Sequence, residues 1–250
     1  MLQKVYNSAI PQLKGKKVRD LCIGIELLAV ELDGGEIGVA YVLKNEIGCG
    51  CASLPEPGEL SGMDAEELAA QMLQNEGGNP LSNAVGVAIC NAEVDYSALS
   101  SEVLDAADVF AVRPDDTVGM IGNIGPVAKQ LKPKAKRMII FDKGKPEGVY
   151  PEERQDELLP QCDLIVITSS SLLNGTFSRV ISYCRQAREI VLTGATTPLY
   201  PEAFQGTGVT VLAGCHWFPQ YKKEIFARIS QGGCLRQIMQ YGEKLAVRLA

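Results

Sequence analysis

From Thr117 onward, short apolar runs recur with helical stretches between them. The runs are TVGMI (117–121), RMIIF (137–141), DLIVIT (163–168), EIVLT (189–193) and VTVLA (209–213). Unbroken apolar runs of this length suit strands covered on both faces; a strand with one wet face would alternate. Helical candidates separate them at 127–131, at 172–187 and, for a turn or two, at 201–204. After the last run, QYKKEIFARIS (220–230) is amphipathic. Strand–helix alternation predicts a parallel, doubly wound sheet of the α/β class, joined by right-handed crossovers. The tail CLRQIMQYGEKLAVRL reads equally as a helix or as a closing hairpin.

The first hundred residues follow another pattern. Residues 1–10 predict a short helix ending near Pro11. VRDLCIGIELLAVEL (18–32), the turn Asp33-Gly34-Gly35 and IGVAYVL (37–43) predict an antiparallel hairpin. A Gly- and Pro-rich loop follows, GCGCASLPEPGELSG. Asp64 with Glu67 three residues on marks a helix start running to about Leu73, and a second helix spans Leu81 to Ala92. The expected organisation is a small α+β unit over 1–105 and a Rossmann-like unit over 106–250, with the change of pattern between residues 100 and 115.

Composition narrows the function classes. With 46% hydrophobic and 22% charged residues the chain reads as an ordinary globular protein, not a disordered one. A net charge of -6 without a basic patch gives a nucleic-acid partner no support. A small anion at a local nest of amides stays compatible with it. No apolar run reaches the roughly 18 residues of a membrane helix. The opening residues lack the apolar stretch of a signal peptide, so a cytoplasmic protein is expected. Among eight cysteines, Cys22, Cys90 and Cys184 lie in apolar segments and read as buried thiols. Cys49, Cys51 and Cys215 stand beside glycines, in loops or at strand ends.

A parallel sheet binds ligands outside the carboxyl ends of its strands. Five segments fall there: Gly122-Asn123-Ile124-Gly125-Pro126, Asp142-Lys143-Gly144, Ser169-Ser170-Ser171, Gly194-Ala195-Thr196-Thr197-Pro198 and Gly214-Cys215-His216-Trp217. Gly119, Gly122 and Gly125, with Asp142 twenty residues past Gly122, resemble a nucleotide-binding turn. The spacing is GxxGxxG, however, and Pro126 removes an amide, so a plain strand-to-helix turn is the simpler reading. Ser169 and Ser170 suit an anion at a helix start or a helix cap, and Thr196-Thr197 a turn or a site. Cys49 and Cys51 offer two soft metal ligands, to be completed by Cys215, His216, Glu56, Glu59 or a second subunit. His216 is the only histidine. No Ser-His-Asp order, HExxH or phosphate-loop signature occurs, so no catalytic residue is assigned and enzymatic activity is left open.

The segments GCGCASLPEPGELSGMDAEELA, NPLSNAVGVAICNA, VGMIGNIGPVAKQLK, LPQCDLIVITSSSLLNGTFSRV, IVLTGATTPLYPEAF and VLAGCHW resemble, in order, a family of prokaryotic heavy-metal chelation domain proteins. The resemblance implies an N-terminal part like the small α+β domain of enolases and a Rossmann-like C-terminal part. It implies a transition or heavy metal ion, or a metallated small molecule, held between the two. It carries no enolase chemistry, since no catalytic barrel accompanies the small domain. Three functions follow as expectations. The first is a metal or ligand binder with its site in the interdomain cleft. The second is an enzyme taking a nucleotide or phosphorylated small molecule at 122–126. The third is a non-catalytic scaffold, with a homodimer in view.

Overall fold

A computed structural model describes residues 1–48, 53–55, 58–71, 79–99, 109–144 and 147–249. Helix α1 (Leu2–Leu13) opens the chain and continues through Pro11, so it is longer than the sequence predicts. The expected hairpin is a three-stranded antiparallel sheet: β1 (Val18–Ile23), β2 (Leu27–Leu32) and β3 (Ile37–Tyr41). The apolar run 18–32 hides a second turn, closed by the Gly24 N–H donating to the Leu27 carbonyl at 2.9 Å. Helix α2 (Ala65–Ala70) starts on Asp64, whose carboxylate accepts from the Glu67 N–H at 3.0 Å. Leu73, the expected end of this helix, lies outside the described residues, as does the expected domain boundary at 105/106.

Helix α3 (Pro80–Ala92) is the centre of the first unit. Asn79 caps it, its side chain accepting from the Leu81 and Ser82 N–H groups, and Pro80 occupies the first turn. All of its residues are buried. A helix apolar on every side belongs inside a protein. It lies directly on β3: a Cβ at Gly38 would stand 1.7 Å from the Ala88 carbonyl oxygen. Glycine at 38 lets helix and sheet backbones touch.

The second unit is a six-stranded sheet of β4 (Thr117–Ile121), β5 (Arg137–Phe141), β6 (Leu164–Thr168), β7 (Glu189–Thr193), β8 (Val211–Trp217) and β9 (Gly242–Arg248). The order is β5-β4-β6-β7-β8-β9; the first five are parallel and β9 is antiparallel to β8. The connections carry α4 (Gly125–Leu131), α5 (Gln155–Leu158), α6 (Ser170–Leu173), α7 (Phe177–Tyr183) and α8 (Pro201–Phe204). The single helix expected over 172–187 is two, broken at Gly175, where φ is 72°. After β8 come α9 (Lys222–Ser230) and α10 (Leu235–Ile238). The tail is therefore both helix and strand, and the sheet is mixed.

Alternating strand residues feed two layers. Ile121, Ile139, Ile165, Ile167 and Leu192 share a core with α3, Leu28 and Val30. Val118, Met120, Leu164 and Val166 face α4 through Leu131. The other face of the small sheet, Leu27, Ala29, Ile37 and Val39, is covered by Trp217, Ile225, Ile229 and Ile238 from the second unit. The small sheet is thus enclosed between α3 and the α9–α10 end of the larger unit.

Candidate functional site

The strand order places a topological switch between β4 and β6, because the chain leaves β4 toward β5 on one side and returns on the other. A crevice outside the carboxyl ends of these strands is the expected ligand position. Gly122 follows β4 with φ at 81°, a conformation that favours glycine. Its missing Cβ would lie 3.0 Å from Thr168 Cγ2 at the end of β6, so any side chain at 122 would crowd the crevice. At Gly125, in the first turn of α4, an added Cβ meets nothing within 4 Å. Asp142 is engaged locally: its Oδ2 accepts from the Asn123 N–H at 2.7 Å and its Oδ1 from the Gly144 N–H at 2.8 Å. The carboxylate ties the loops after β4 and β5 together.

The ends of β6 and β7 are rich in hydroxyls. Ser169 is fully buried, and its Oγ has no hydrogen-bond partner among the described residues. It lies against Gly194, where a Cβ would stand 2.7 Å from that oxygen. Ser170 lends only a long contact, its N–H to Thr168 Oγ1 at 3.4 Å, while the Ser171 hydroxyl donates to the Thr168 carbonyl at 2.8 Å. Thr196 is buried and its Oγ1 accepts from the Tyr41 N–H at 2.8 Å. Thr197 is also buried, its Oγ1 without a partner among the described residues. A buried hydroxyl left unpaired costs about 1–3 kcal/mol. Asn83, Asn91, Glu36 and Gln155 carry buried oxygens of the same kind, so the two hydroxyls are distinguished by lying at the carboxyl edge of the sheet.

The first unit roofs this edge. Besides the bond from Tyr41 to Thr196, the Glu46 carboxylate accepts from Asn174 Nδ2 at 3.1 and 3.2 Å and pairs with Lys143 Nζ at 2.8 Å. Asn83 on α3 donates from Nδ2 to the Leu173 carbonyl at 2.7 Å, and its Oδ1 is buried without a partner among the described residues. Tyr41, Glu46, Asn83 and Asn174 belong to no recognisable motif. Only Asn83 leaves a signal, as a polar residue inside the otherwise small and apolar LSNAVGVAIC.

The GCHW segment is strand, not the loop the sequence predicts. It continues β8 because β9 pairs with it throughout, Cys215 opposite Lys244 and His216 opposite Glu243. Strand alternation then separates the neighbours. Cys215 points into the core with Leu27, Ala29 and Trp217, where burial pushes its thiol up to about 12. His216 points the other way. Its ring stacks on Tyr96 with centroids 3.8 Å apart, meets the edge of Phe218 at 5.4 Å, and sets Nδ1 3.0 Å from Glu243 Oε1. Cys49, Cys51 and Glu56 lie outside the described residues, and Glu59 is exposed. Among the described residues no group of three or more His, Cys, Asp or Glu side chains is gathered to hold a metal. A cleft of about 360 Å³ lies elsewhere, lined by Leu21, Ile23, Leu54, Leu60 and Leu81 with Gly58 and Ser61. Among the described residues its lining carries no charged side chain.

Residues 105–248 match a protein family described as "Putative heavy-metal chelation", and residues 6–94 match a second family of the same description. The chain belongs to this family. The resemblance drawn from sequence segments and the family match agree over both units. An uncharacterized protein of Methanocaldococcus jannaschii is 31% identical over 139 residues, a span covering 53% of this chain and 54% of the relative. Two crystal structures of family members with unknown function have the same fold. The one from Pyrococcus horikoshii has a TM-score of 0.84 at 23% identity and aligns over 99% of each chain. The one from Desulfitobacterium hafniense has a TM-score of 0.80 at 21% identity, over 99% of this chain and 98% of that one. The family match supports a role in binding a metal or another ligand. Among the described residues no helix is long and apolar enough to cross a membrane.

Proposed function

We propose that this protein binds a metal ion, or a small molecule carrying one, at the carboxyl edge of its parallel sheet beneath the first unit. One observation carries the reading. The carboxyl edge holds buried hydroxyls on Ser169 and Thr197 without a partner among the described residues, and the first unit closes over it through Tyr41, Glu46 and Asn83. Family membership supplies the ligand class. In this reading Gly122, Asn123 and Gly125 border the ligand, and Ser169, Ser170, Thr196 and Thr197 contact its polar part. Cys49 and Cys51 bring soft donors. His216, with Nδ1 on Glu243 and no partner for Nε2 among the described residues, belongs to the same proposed ligand set. The first unit acts as the enolase-like small domain of the pair, a lid rather than a catalytic barrel.

A nucleotide at 122–126 has less support, because the glycine spacing is GxxGxxG and Pro126 removes an amide donor from the turn. The test is elemental mass spectrometry on untagged protein purified without oxygen, wild type beside a Cys49→Ser/Cys51→Ser double variant. Near-stoichiometric metal in wild type, lost in the variant, supports the reading. Metal-free wild type, even after supply of nickel, cobalt, iron and zinc, contradicts it and makes a nucleotide panel the next experiment.

A further inference from the structure

We propose that the outer edge of β1 is a surface for a second copy of this chain, the two β1 strands pairing antiparallel about a two-fold axis at Cys22. β1 ends the three-stranded sheet, and among the described residues it pairs as a strand only with β2. The Gly24 N–H donates to Leu27 in β2. Hydrogen-bonded and outward-facing positions alternate along an antiparallel pair, so Gly24 and Cys22 face β2 while Ile23 and Leu21 turn their backbone groups outward. The outward Leu21 N–H is held by Asp20 Oδ1 at 2.9 Å; Ile23 has no such partner among the described residues. Closer to the start of β1 the edge is taken, because Val18 bonds to Met63 and Gly62. The free stretch therefore runs from Asp20 to Gly24, with Cys22 at its midpoint. An axis at Cys22 sets Leu21 opposite the partner subunit's Ile23. An axis one residue away would set Ile23 opposite the partner subunit's Arg19, beside the occupied end, or Leu21 opposite the partner subunit's Ile25, in the turn.

The side chains suit a copy of the same strand. Leu21 and Ile23 line the cleft of about 360 Å³ together with Leu54, Leu60 and Leu81, and Ile23 is still 40% exposed. Residues opposite each other in an antiparallel pair share a face. The partner subunit's Ile23 thus arrives on the cleft side, next to Leu21. Knob and hole lie on one strand, as a contact between identical surfaces requires. Charge permits the approach. Two copies of net charge -6 repel each other, yet the cleft lining holds no charged side chain among the described residues. The charges that flank the edge are already paired within the chain: Arg19 with Glu31, Asp20 with Lys222 and Glu26 with Lys44. The edges of the large sheet are guarded instead. β9 exposes Glu243, Lys244 and Arg248; β5 starts at the exposed Arg137 and is bridged by Tyr150 at Phe141. Leu21, Cys22 and Ile23 carry no such guard.

One short strand and one cleft make a small contact beside the roughly 1,600 Å² of a standard interface, so association is weak and depends on concentration. The experiment is sedimentation velocity of the full chain from micromolar to near-millimolar concentration, with residue-resolved amide exchange by NMR. The expected result is a monomer that converts to dimer as concentration rises. Salt should change this little, because no ion pair crosses the axis. Ile23→Lys places a charge where the cleft closes and should weaken dimerisation at least tenfold; the exposed position keeps the fold intact. The Ile23 amide, outward and open in the monomer, should exchange more slowly as dimer forms. A single monomeric species at every concentration would overturn the assignment and leave the edge to an extended segment of another protein. A dimer that survives in Ile23→Lys, or an Ile23 amide whose exchange ignores concentration, would overturn it as well.

Discussion

At Gly38 an added methyl would stand 1.7 Å from a backbone carbonyl; at Gly125 it would meet nothing within 4 Å. The first position lies between β3 and α3, the second at the carboxyl edge of the large sheet. The difference extends beyond the glycines. Around α3 the small sheet is buried on both faces, with Asn83 and Asn91 on that helix each keeping a buried Oδ1 without a partner among the described residues. At the edge, hydroxyls on Ser169 and Thr197 are likewise buried without a partner among the described residues. The contact of β3 with α3 at Gly38 shows a fold that fills its space. What sets the edge apart is its place, at the carboxyl ends of parallel strands beside a topological switch.

Substitutions can break this contrast. The largest effect is expected at Gly38. Gly38→Val should destabilise by at least about 3 kcal/mol, since neither backbone can retreat far; chemical denaturation would measure it. Next is the pair that fastens the start of β4 to the segment before β7. Asp116 is buried, and Arg188 holds it with contacts of 2.5 and 2.6 Å while donating to the Ala111 carbonyl at 2.7 Å. The Arg188 guanidinium holds the Asp116 carboxyl below its usual range. A depressed carboxylate stabilises the fold above its unfolded pKa of about 4, and that contribution is lost as the pH falls through the folded value. Arg188→Ala should cost on the order of 3 kcal/mol at neutral pH, with a smaller difference from wild type in melts below about pH 4. A smaller effect is expected at Asp64. Asp64→Ala removes the α2 cap and should cost about 1 kcal/mol in a thermal melt without altering ligand content.

Much of the large sheet is legible in the sequence, because each parallel strand is a short apolar run with polar or glycine punctuation. Four of the five runs end within one residue of the observed strands. The fifth ends too early because β9, distant in sequence, extends β8 through Cys215 and His216. Periodicity in one segment cannot report a partner strand thirty residues on. The same limit hides the turn at Gly24, where an apolar run covers two strands buried on both faces. Ser169, Thr196 and Thr197 are legible as edge residues since the rule for parallel sheets needs only strand ends. Tyr41, Glu46 and Asn83 are not, because their role depends on how the first unit docks.

The most direct test of the carboxyl-edge reading is native mass spectrometry of intact protein, comparing wild type with a Ser169→Ala/Thr197→Val double variant. Both changes delete an unpaired buried hydroxyl, so the melting temperature should hold or rise slightly. The account predicts a bound mass on wild type that the variant loses while its stability is kept. A variant that keeps the bound mass would show that these hydroxyls face no ligand, and would contradict the placement of the site.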